Sequence, residues 1–545
     1  MWSQVYDPLN NPWLSTAAAA IPVFVLLGAL AFFHISAHVA ALLGLASALA
    51  VAVLVFGMPG SIAFSAATYG ALNGLAPIGW IILNVIFLYQ LTERKGQFAV
   101  LRDSIAGITS DRRLQLLLVA FSFGAFFEGA GGFGTPVAVT GAMLIGLGFG
   151  PLAASGLSLI ANTAPVAYGA LGTPIVVLAA VTGLDLLQLS AMVGRQLPFF
   201  SVIVPFWLLV AFCGMRATFA VWPAVLVAGV AFAVPQFLVS NYHGPWLVDV
   251  VAAICSMAAL TLFLRVYRPA MIWTSTGAGG TEQAQALVAH PRAAVVRAWM
   301  PWLILSVLVF VWGIPEVKKA LDGIWSAKFN WAGLHNMVQK GPPIVKEVKP
   351  EAAVYTLNLL SMTGTGILVA AFASALVMGY RVGEIFRVYW ETLKLVRFSL
   401  LTIAAMLGLG YLTRYSGVDS TLGLAFSHTG LLYPFFGTLL GWLGVALTGS
   451  DTASNVLFGG LQRTSAEQLG LSPVLMAAAN SSGGVMGKMI DAQSIVVAST
   501  ATKWYGHEGE ILRYVFFHSI ALAALMGILV TLQAYVAPFT SMVVR

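Results

Sequence analysis

Long apolar runs dominate the chain, and short polar segments punctuate them. Runs at 13–33, 38–58, 72–91, 219–239, 247–264, 352–378 and 514–538 approach or exceed the roughly 20 residues that carry a helix across hydrocarbon. A transmembrane barrel would show short segments of alternating polarity instead, and these runs do not alternate. The pattern predicts an all-α polytopic membrane protein of about 12 transmembrane helices plus two broken or re-entrant hairpins.

Composition agrees. Of 545 residues, 59% are hydrophobic and 9% are charged, against about 25% charged in soluble domains. There is no phosphate loop, zinc or haem spacing, or nucleophile elbow. The expectation is therefore a non-enzyme with no cofactor and no metal. Cys213 and Cys255 are isolated and read as small buried apolar residues. The net charge of +7 comes without a dense basic stripe interleaved with aromatics, so it does not point to nucleic acid. It fits loops rich in Lys and Arg at 92–113, 265–297, 380–397 and 503–513, which the positive-inside bias places in the cytoplasm.

That placement puts both termini outside and makes 316–351 an external loop. It divides the chain into an N-terminal membrane half (1–268, core about 92–217), a cytoplasmic loop (269–296) and a connecting transmembrane helix (297–315). The external loop and a C-terminal half (352–545, core about 413–540) follow. The start, Met-Trp-Ser-Gln-Val-Tyr-Asp, has no basic n-region, so the first spanning helix is expected to direct insertion.

The two halves echo one another. Asn162 opens Asn-Thr-Ala-Pro-Val-Ala-Tyr-Gly and Asn480 opens Asn-Ser-Ser-Gly-Gly-Val-Met-Gly, and an Ile-Val-Val triplet follows each, at 175–177 and 495–497. Gly96 precedes Glu128 much as Gly417 precedes Asp451. Equivalent positions on opposite sides of the membrane are what two inverted-topology repeats require.

Two polar segments at membrane depth carry one carboxylate each. An ionisable side chain there costs about 2.5–3.5 kcal/mol on insertion scales, so it reads as functional. Around Glu128, the glycines Gly129, Gly131, Gly132 and Gly134 and then Pro136 are expected to interrupt a helix. Glu128 is either a proton carrier, because desolvation favours a neutral carboxyl, or a structural acceptor for freed backbone amides. Around Asp451, the residues Ser450, Thr452 and Asn455 offer hydroxyl and amide groups to a carboxylate or a cation. Asp451 itself reads as a proton site, a Na⁺ ligand or a helix cap.

Asn162, Thr163 and Pro165 read as a third break with side-chain donors, and Asn480, Ser481, Ser482, Gly483 and Gly484 as a fourth. Lys488 either attracts an anion, pairs with Asp451 or Asp491, or snorkels to the interface. Arg195 suits a carboxylate or an interfacial anchor, and His428 reads as interfacial.

These residues carry a resemblance to the bacterial L-lactate permease family, which includes glycolate permeases, along essentially the whole chain. The matching motifs begin with Tyr6-Asp7-Pro8, Gly96-Gln97-Phe98, Phe123-Gly124-Ala125-Phe126 and Glu128-Gly129-Ala130. They continue through Asn162-Thr163-Ala164-Pro165, Gly194-Arg195-Gln196-Leu197-Pro198, Leu447-Thr448-Gly449-Ser450-Asp451-Thr452 and Gly487-Lys488-Met489-Ile490. Thr135, and Asp491-Ala492 in place of a Ser-Pro pair, depart from the family pattern.

The resemblance implies proton-coupled symport of L-lactate, D-lactate and glycolate across the bacterial inner membrane, with the lipid bilayer as the other partner. Glu128 or Asp451 would carry the proton. Arg195 or Lys488 would counter the substrate carboxylate, and Ser450, Thr452, Asn455, Asn162, Thr163, Asn480 and Ser481 would bond it. The alternatives are a Na⁺-coupled carboxylate carrier and a passive anion channel.

Overall fold

The computed structural model describes the chain except residues 32, 34, 131, 133, 134, 275–288, 346, 505, 506 and 545. Among the described residues, eight helices are long and apolar enough to cross a membrane, or up to ten if each of two bent pairs is one span. Shorter apolar helices lie at Pro12–Leu26, His38–Leu54, Pro136–Gly146 and Thr363–Val377. The bent pairs are Pro151–Ala161 with Val166–Thr182, at 63°, and Val418–Ser427 with Gly430–Ala446, at 112°.

Hydropathy misplaced some boundaries. The basic stretch 380–397 is not a loop: it forms the first half of one helix, Val382–Ser416. At a 1.5 Å rise, 35 residues span about 52 Å, well beyond a hydrocarbon core of about 30 Å. The charged half therefore extends past the apolar half, and its Glu391 takes a 2.5 Å ion pair from Arg94. The 92–113 stretch likewise contains a helix, Gln97–Ala106. The apolar run at 352–378 begins not as a helix but as a strand, Val354–Leu357, and becomes helical only at Thr363.

That strand belongs to a small β-cluster, so the chain is not helical throughout. Ala327–Asn330 pairs antiparallel with Val354–Leu357, and Trp2–Ser3 pairs parallel with Val338–Lys340. The N-terminus and the 316–351 segment thus share one face. Tyr69 Oη donates to the Val354 carbonyl at 2.9 Å and Trp331 Nε1 to the Ser65 carbonyl at 3.1 Å, docking the cluster on helix Gly60–Asn73.

Glu351 pins the same cluster to the long helix. Its carboxylate binds Lys340 at 3.1 Å and Arg414 at 2.7 Å. Burial opposes its charge, yet the two cations beside it hold its carboxyl below the ordinary glutamate range. A depressed pKa contributes stability at neutral pH that is lost as pH falls through the lowered value. Glu351→Gln should cost about 1–3 kcal/mol at pH 7, the range for leaving a buried polar partner unsatisfied. In thermal melts of detergent-solubilised protein, the wild-type advantage should vanish in acid below the normal glutamate range. An equal difference at every pH would refute the linkage.

Small residues set the helix spacing. A Cβ at Gly70 would press on the Leu407 backbone and on Tyr411, so helices Gly60–Asn73 and Val382–Ser416 meet almost backbone to backbone. Helices Tyr433–Thr448, Asp451–Leu469, Pro473–Gly487 and Glu508–Tyr535 pack as a second group, and Gly169–Thr182 lies against Asp451–Leu469.

Candidate functional site

The breaks in the helices surround one internal cavity of about 220 Å³. Glu128 and Gly132 reach it from one side, and Thr448, Ser450, Asp451, Thr452 and Lys488 from another. Thr173 lines it from helix Gly169–Thr182, while Ile403, Met406 and Leu407 of the long helix form an apolar wall. Glu128 and Asp451 come from opposite halves of the sequence and face the same space.

Each charged group has a local reason to be there. Helix Gly124–Ala130 stops just after Glu128, and Gly132 takes a left-handed φ of 60° that favours glycine. The Glu128 carboxyl packs against Gly169 so closely that a Cβ there would overlap Oε1. Glu128 is 5% exposed, and its Oε2 has no hydrogen-bond partner.

Across the cavity, helix Tyr433–Thr448 ends at Gly449, φ 71°. Ser450 then caps helix Asp451–Leu469 by accepting from Ala453 N at 3.3 Å. That helix N-terminus directs its positive dipole end into the cavity, which suits an anion. Asp451 Oδ2 accepts from Ser481 Oγ at 2.5 Å and from Asn455 Nδ2 at 3.5 Å, and Oδ1 has no partner. Lys488 Nζ donates to the Gly449 carbonyl at 2.5 Å and lies 3.6 Å from Asp491 Oδ2. Lys488 does not snorkel: it is 7% exposed.

A second row of side chains supports this wall without lining the cavity. Asn480 Nδ2 donates to Asn455 Oδ1 at 2.9 Å, and Asn455 Nδ2 donates to the Pro174 carbonyl at 3.2 Å. Gln462 Nε2 donates to Asn480 Oδ1 at 3.1 Å. Asn455, Asn480 and Ser481 therefore hold Asp451 and tie its helix to Gly169–Thr182. Asn162 lies at the end of helix Pro151–Ala161, where its buried amide makes no close hydrogen bond but stands beside the Glu128 carboxyl. Thr163 donates to the Ile160 carbonyl in the same break.

Three expectations need correction. Arg195 is not at the cavity: it donates to Asn241 Oδ1 at 2.9 Å and to the Met542 carbonyl at 3.0 Å, in the turn before helix Leu197–Phe219. Gly129 is helical, inside Gly124–Ala130, and Pro136 lies in the first turn of Thr135–Gly146, so neither interrupts a helix. Gly131 and Gly134 themselves lie outside the described residues. The segment from Asn480 to Gly484 is not a break either, because Pro473–Gly487 is continuous and the interruption comes at 488–491.

Those misread glycines serve packing. A Cβ on Gly483 would strike the Thr438 backbone, and one on Gly484 the Asp451 carboxyl. Gly483→Ala should lower stability by about 1–3 kcal/mol, the usual range for overpacking against groups that cannot move. Gly383→Ala, in open space on the long helix, should be neutral or slightly stabilising. Equal melting temperatures for the two variants would refute the packing role.

Sequence reading passed over Asp249. It sits in the first turn of helix Val248–Val266, 1% exposed, with neither carboxylate oxygen partnered. It packs beside Gly129, one residue from Glu128. A single acid near the end of an apolar run looks interfacial, and no local motif marks it.

A polytopic helical membrane protein with a buried, charged cavity walled by interrupted helices has the architecture of a permease. The chain belongs to the L-lactate permease family, whose model matches residues 15–537. It is 46% identical to the glycolate permease GlcA of Escherichia coli, covering 100% of this chain and 99% of that one. It is 45% identical to the L-lactate permease of Salmonella typhimurium, covering 98% of each chain. The Bacillus subtilis L-lactate permease is also 45% identical, covering 98% of this chain and 99% of the other. The family and these relatives are permeases, not enzymes.

Proposed function

We propose that this chain is a secondary active permease of the bacterial inner membrane. It takes up L-lactate, and the related D-lactate and glycolate, together with H⁺ by alternating access. The observation that carries the coupling is the charge balance of the cavity wall. Its ionisable side chains are Glu128, Asp451 and Lys488, and the lysine is shared with Asp491. A monocarboxylate entering this set adds negative charge to a wall that already carries two carboxyl groups. One proton taken up by the wall cancels that addition and makes the loaded step electroneutral.

Glu128 is the proton site in this reading, because Asn162 alone stands by it as a side-chain donor and Oε2 makes no close hydrogen bond, whereas Asp451 is held by Ser481 and Asn455. Ser450, Thr452 and the N-terminus of helix Asp451–Leu469 receive the substrate carboxylate, with Lys488 beside them. Lactate and glycolate both carry a 2-hydroxyl, and Thr173 stands across the cavity to bond it.

Two inverted-topology repeats fit the local geometry. Gly96 and Gly417 both adopt left-handed backbone, and each starts a ten-residue helix. The backbone departs from helical geometry shortly before each Ile-Val-Val triplet, at 170–172 and at 488–491. In this topology the 316–351 segment and both termini face the periplasm, and the two cores move against one another about the cavity.

The test is uptake of labelled L-lactate into proteoliposomes under an inward-directed proton gradient, with choline replacing Na⁺. Accumulation above the external concentration that a protonophore abolishes is the expected result. Accumulation that requires Na⁺, or equilibration without accumulation, would overturn the coupling.

A further inference from the structure

A second cavity, of about 230 Å³, lies where the same three helices approach the face that carries the β-cluster. Gly169–Thr182 runs from Thr173 at the central cavity to Thr182 at this one. The long helix runs from Met406 to Arg414, and Asp451–Leu469 from Asp451 to Arg463. Eight residues of helix, as from Met406 to Arg414, separate the two levels by about 12 Å.

Between them the helices close tightly. A Cβ on Gly410 would lie 3.0 Å from both Val181 and Val456, and one on Gly459 would meet Leu178, Thr182 and Val181. This largely apolar layer is tightly packed, whereas the cavity beyond it is charged. Lys340, Lys349, Arg414 and Arg463 line it, with Glu351, Asp419 and Glu467.

The donors are not exhausted by the carboxylates. Glu351 occupies one contact of Lys340 and two of Arg414. Arg463 gives Nε to Glu467 and Nη1 to the Thr182 carbonyl, and among the described residues its Nη2 makes no hydrogen bond. Lys349 and Glu467 stand exposed at the rim, while buried Asp419 and Ser420 and half-buried Gly460 form the floor. A positively biased, partly enclosed recess concentrates small anions and speeds their capture.

We propose that this recess is a second binding station for the monocarboxylate anion, occupied before the packed layer opens and the anion drops to the central cavity. Lys349 and Arg463 draw it in, and the Lys340–Glu351–Arg414 cluster shapes the wall. The proposal rests on the permease reading, and it adds a site that the central cavity does not need for coupling.

The test compares wild type with the Lys349→Gln/Arg463→Gln double variant in oriented proteoliposomes. Arg463 makes a partly exposed i,i+4 pair with Glu467 and one bond to the Thr182 carbonyl, the first a kind of contact that contributes little to stability, and melting temperatures and membrane abundance of the variant check that it folds. L-lactate uptake from the β-cluster face should show a KM raised about five- to tenfold with kcat unchanged, as expected for two modest, screened charges. Exchange started from the opposite face should keep its KM. The wild-type KM should also rise with salt, since exposed charges are screened beyond about 10 Å at 0.1 M, and the variant should have lost that dependence. Lys349→Arg/Arg463→Lys should retain wild-type behaviour. An unchanged KM and salt response in an equally abundant variant overturns this inference alone. A wild type that takes up no L-lactate overturns the permease reading with it.

Discussion

Glu128→Gln should abolish pH-driven accumulation of L-lactate while sparing exchange of internal for external lactate. A one-to-one symporter accumulates substrate about tenfold per unit of pH gradient, because tenfold and one pH unit both correspond to about 1.4 kcal/mol. With a neutral amide that cannot release a proton, the accumulation ratio should fall to 1. Exchange needs only the loaded carrier to reorient, and the amide imitates the protonated acid in shape and charge. The geometry makes the replacement mild, since glutamine adds no heavy atom to a side chain packed against Gly132 and Gly169.

Asp451→Asn should behave differently. Ser481 Oγ donates to Oδ2, and Asn455 and Asn480 continue that network. An amide that turns its NH₂ toward Ser481 disturbs the wall itself, so exchange and accumulation should fall together. Counterflow and gradient-driven uptake in the same vesicles separate the two outcomes. Full accumulation in Glu128→Gln would remove the proton from that residue.

Lys488→Gln should reduce L-lactate uptake by at least about 100-fold, roughly the 3 kcal/mol or more at stake when one partner of a buried ion pair is removed. Its ammonium is the cation on the cavity wall among the described residues, and it closes the exposed carbonyl end of helix Tyr433–Thr448 at Gly449. The substitution would also leave Asp491 buried opposite a neutral group, so part of the loss will reflect stability. Adding Asp491→Asn tests this division. The double variant should regain thermal stability, because no uncompensated charge remains, yet uptake should stay low. If uptake returned with stability, Lys488 would be a structural partner of Asp491 and not a substrate contact.

Some of this site was readable in the sequence. Glu128, Asp451 and Lys488 stood out because a charge inside an apolar run has no cheap structural explanation, and the structure places all three on one cavity. The break at 162–165 was also legible, since Asn, Thr and Pro together disfavour a continuing helix. Gly483 and Gly484 misled for a physical reason. Glycine weakens a helix, but it also lets two helices approach, and only the neighbour at Thr438 shows which property is in use.

Arg195 misled in the same way: a guanidinium suits any carboxylate or carbonyl, and its partners proved to be Asn241 and Met542. The long helix escaped hydropathy because its charged half leaves the apolar layer without ceasing to be helical. Asp249 escaped because an isolated acid near a helix start resembles a cap, and its two unpartnered oxygens are a property of its surroundings.

The cost of placing a residue in hydrocarbon is a local quantity, summed along the chain, so the order of residues alone determined that this is a multi-span helical membrane protein. Its motifs, read in order, likewise determined the permease family. Which side chains share a cavity depends on how helix faces pack, and that depends on contacts between segments far apart in sequence. Packing therefore brought Glu128 and Asp451 to the same space, sent Arg195 elsewhere, set Asn480 behind the wall, and placed a tightly packed apolar layer between two charged recesses.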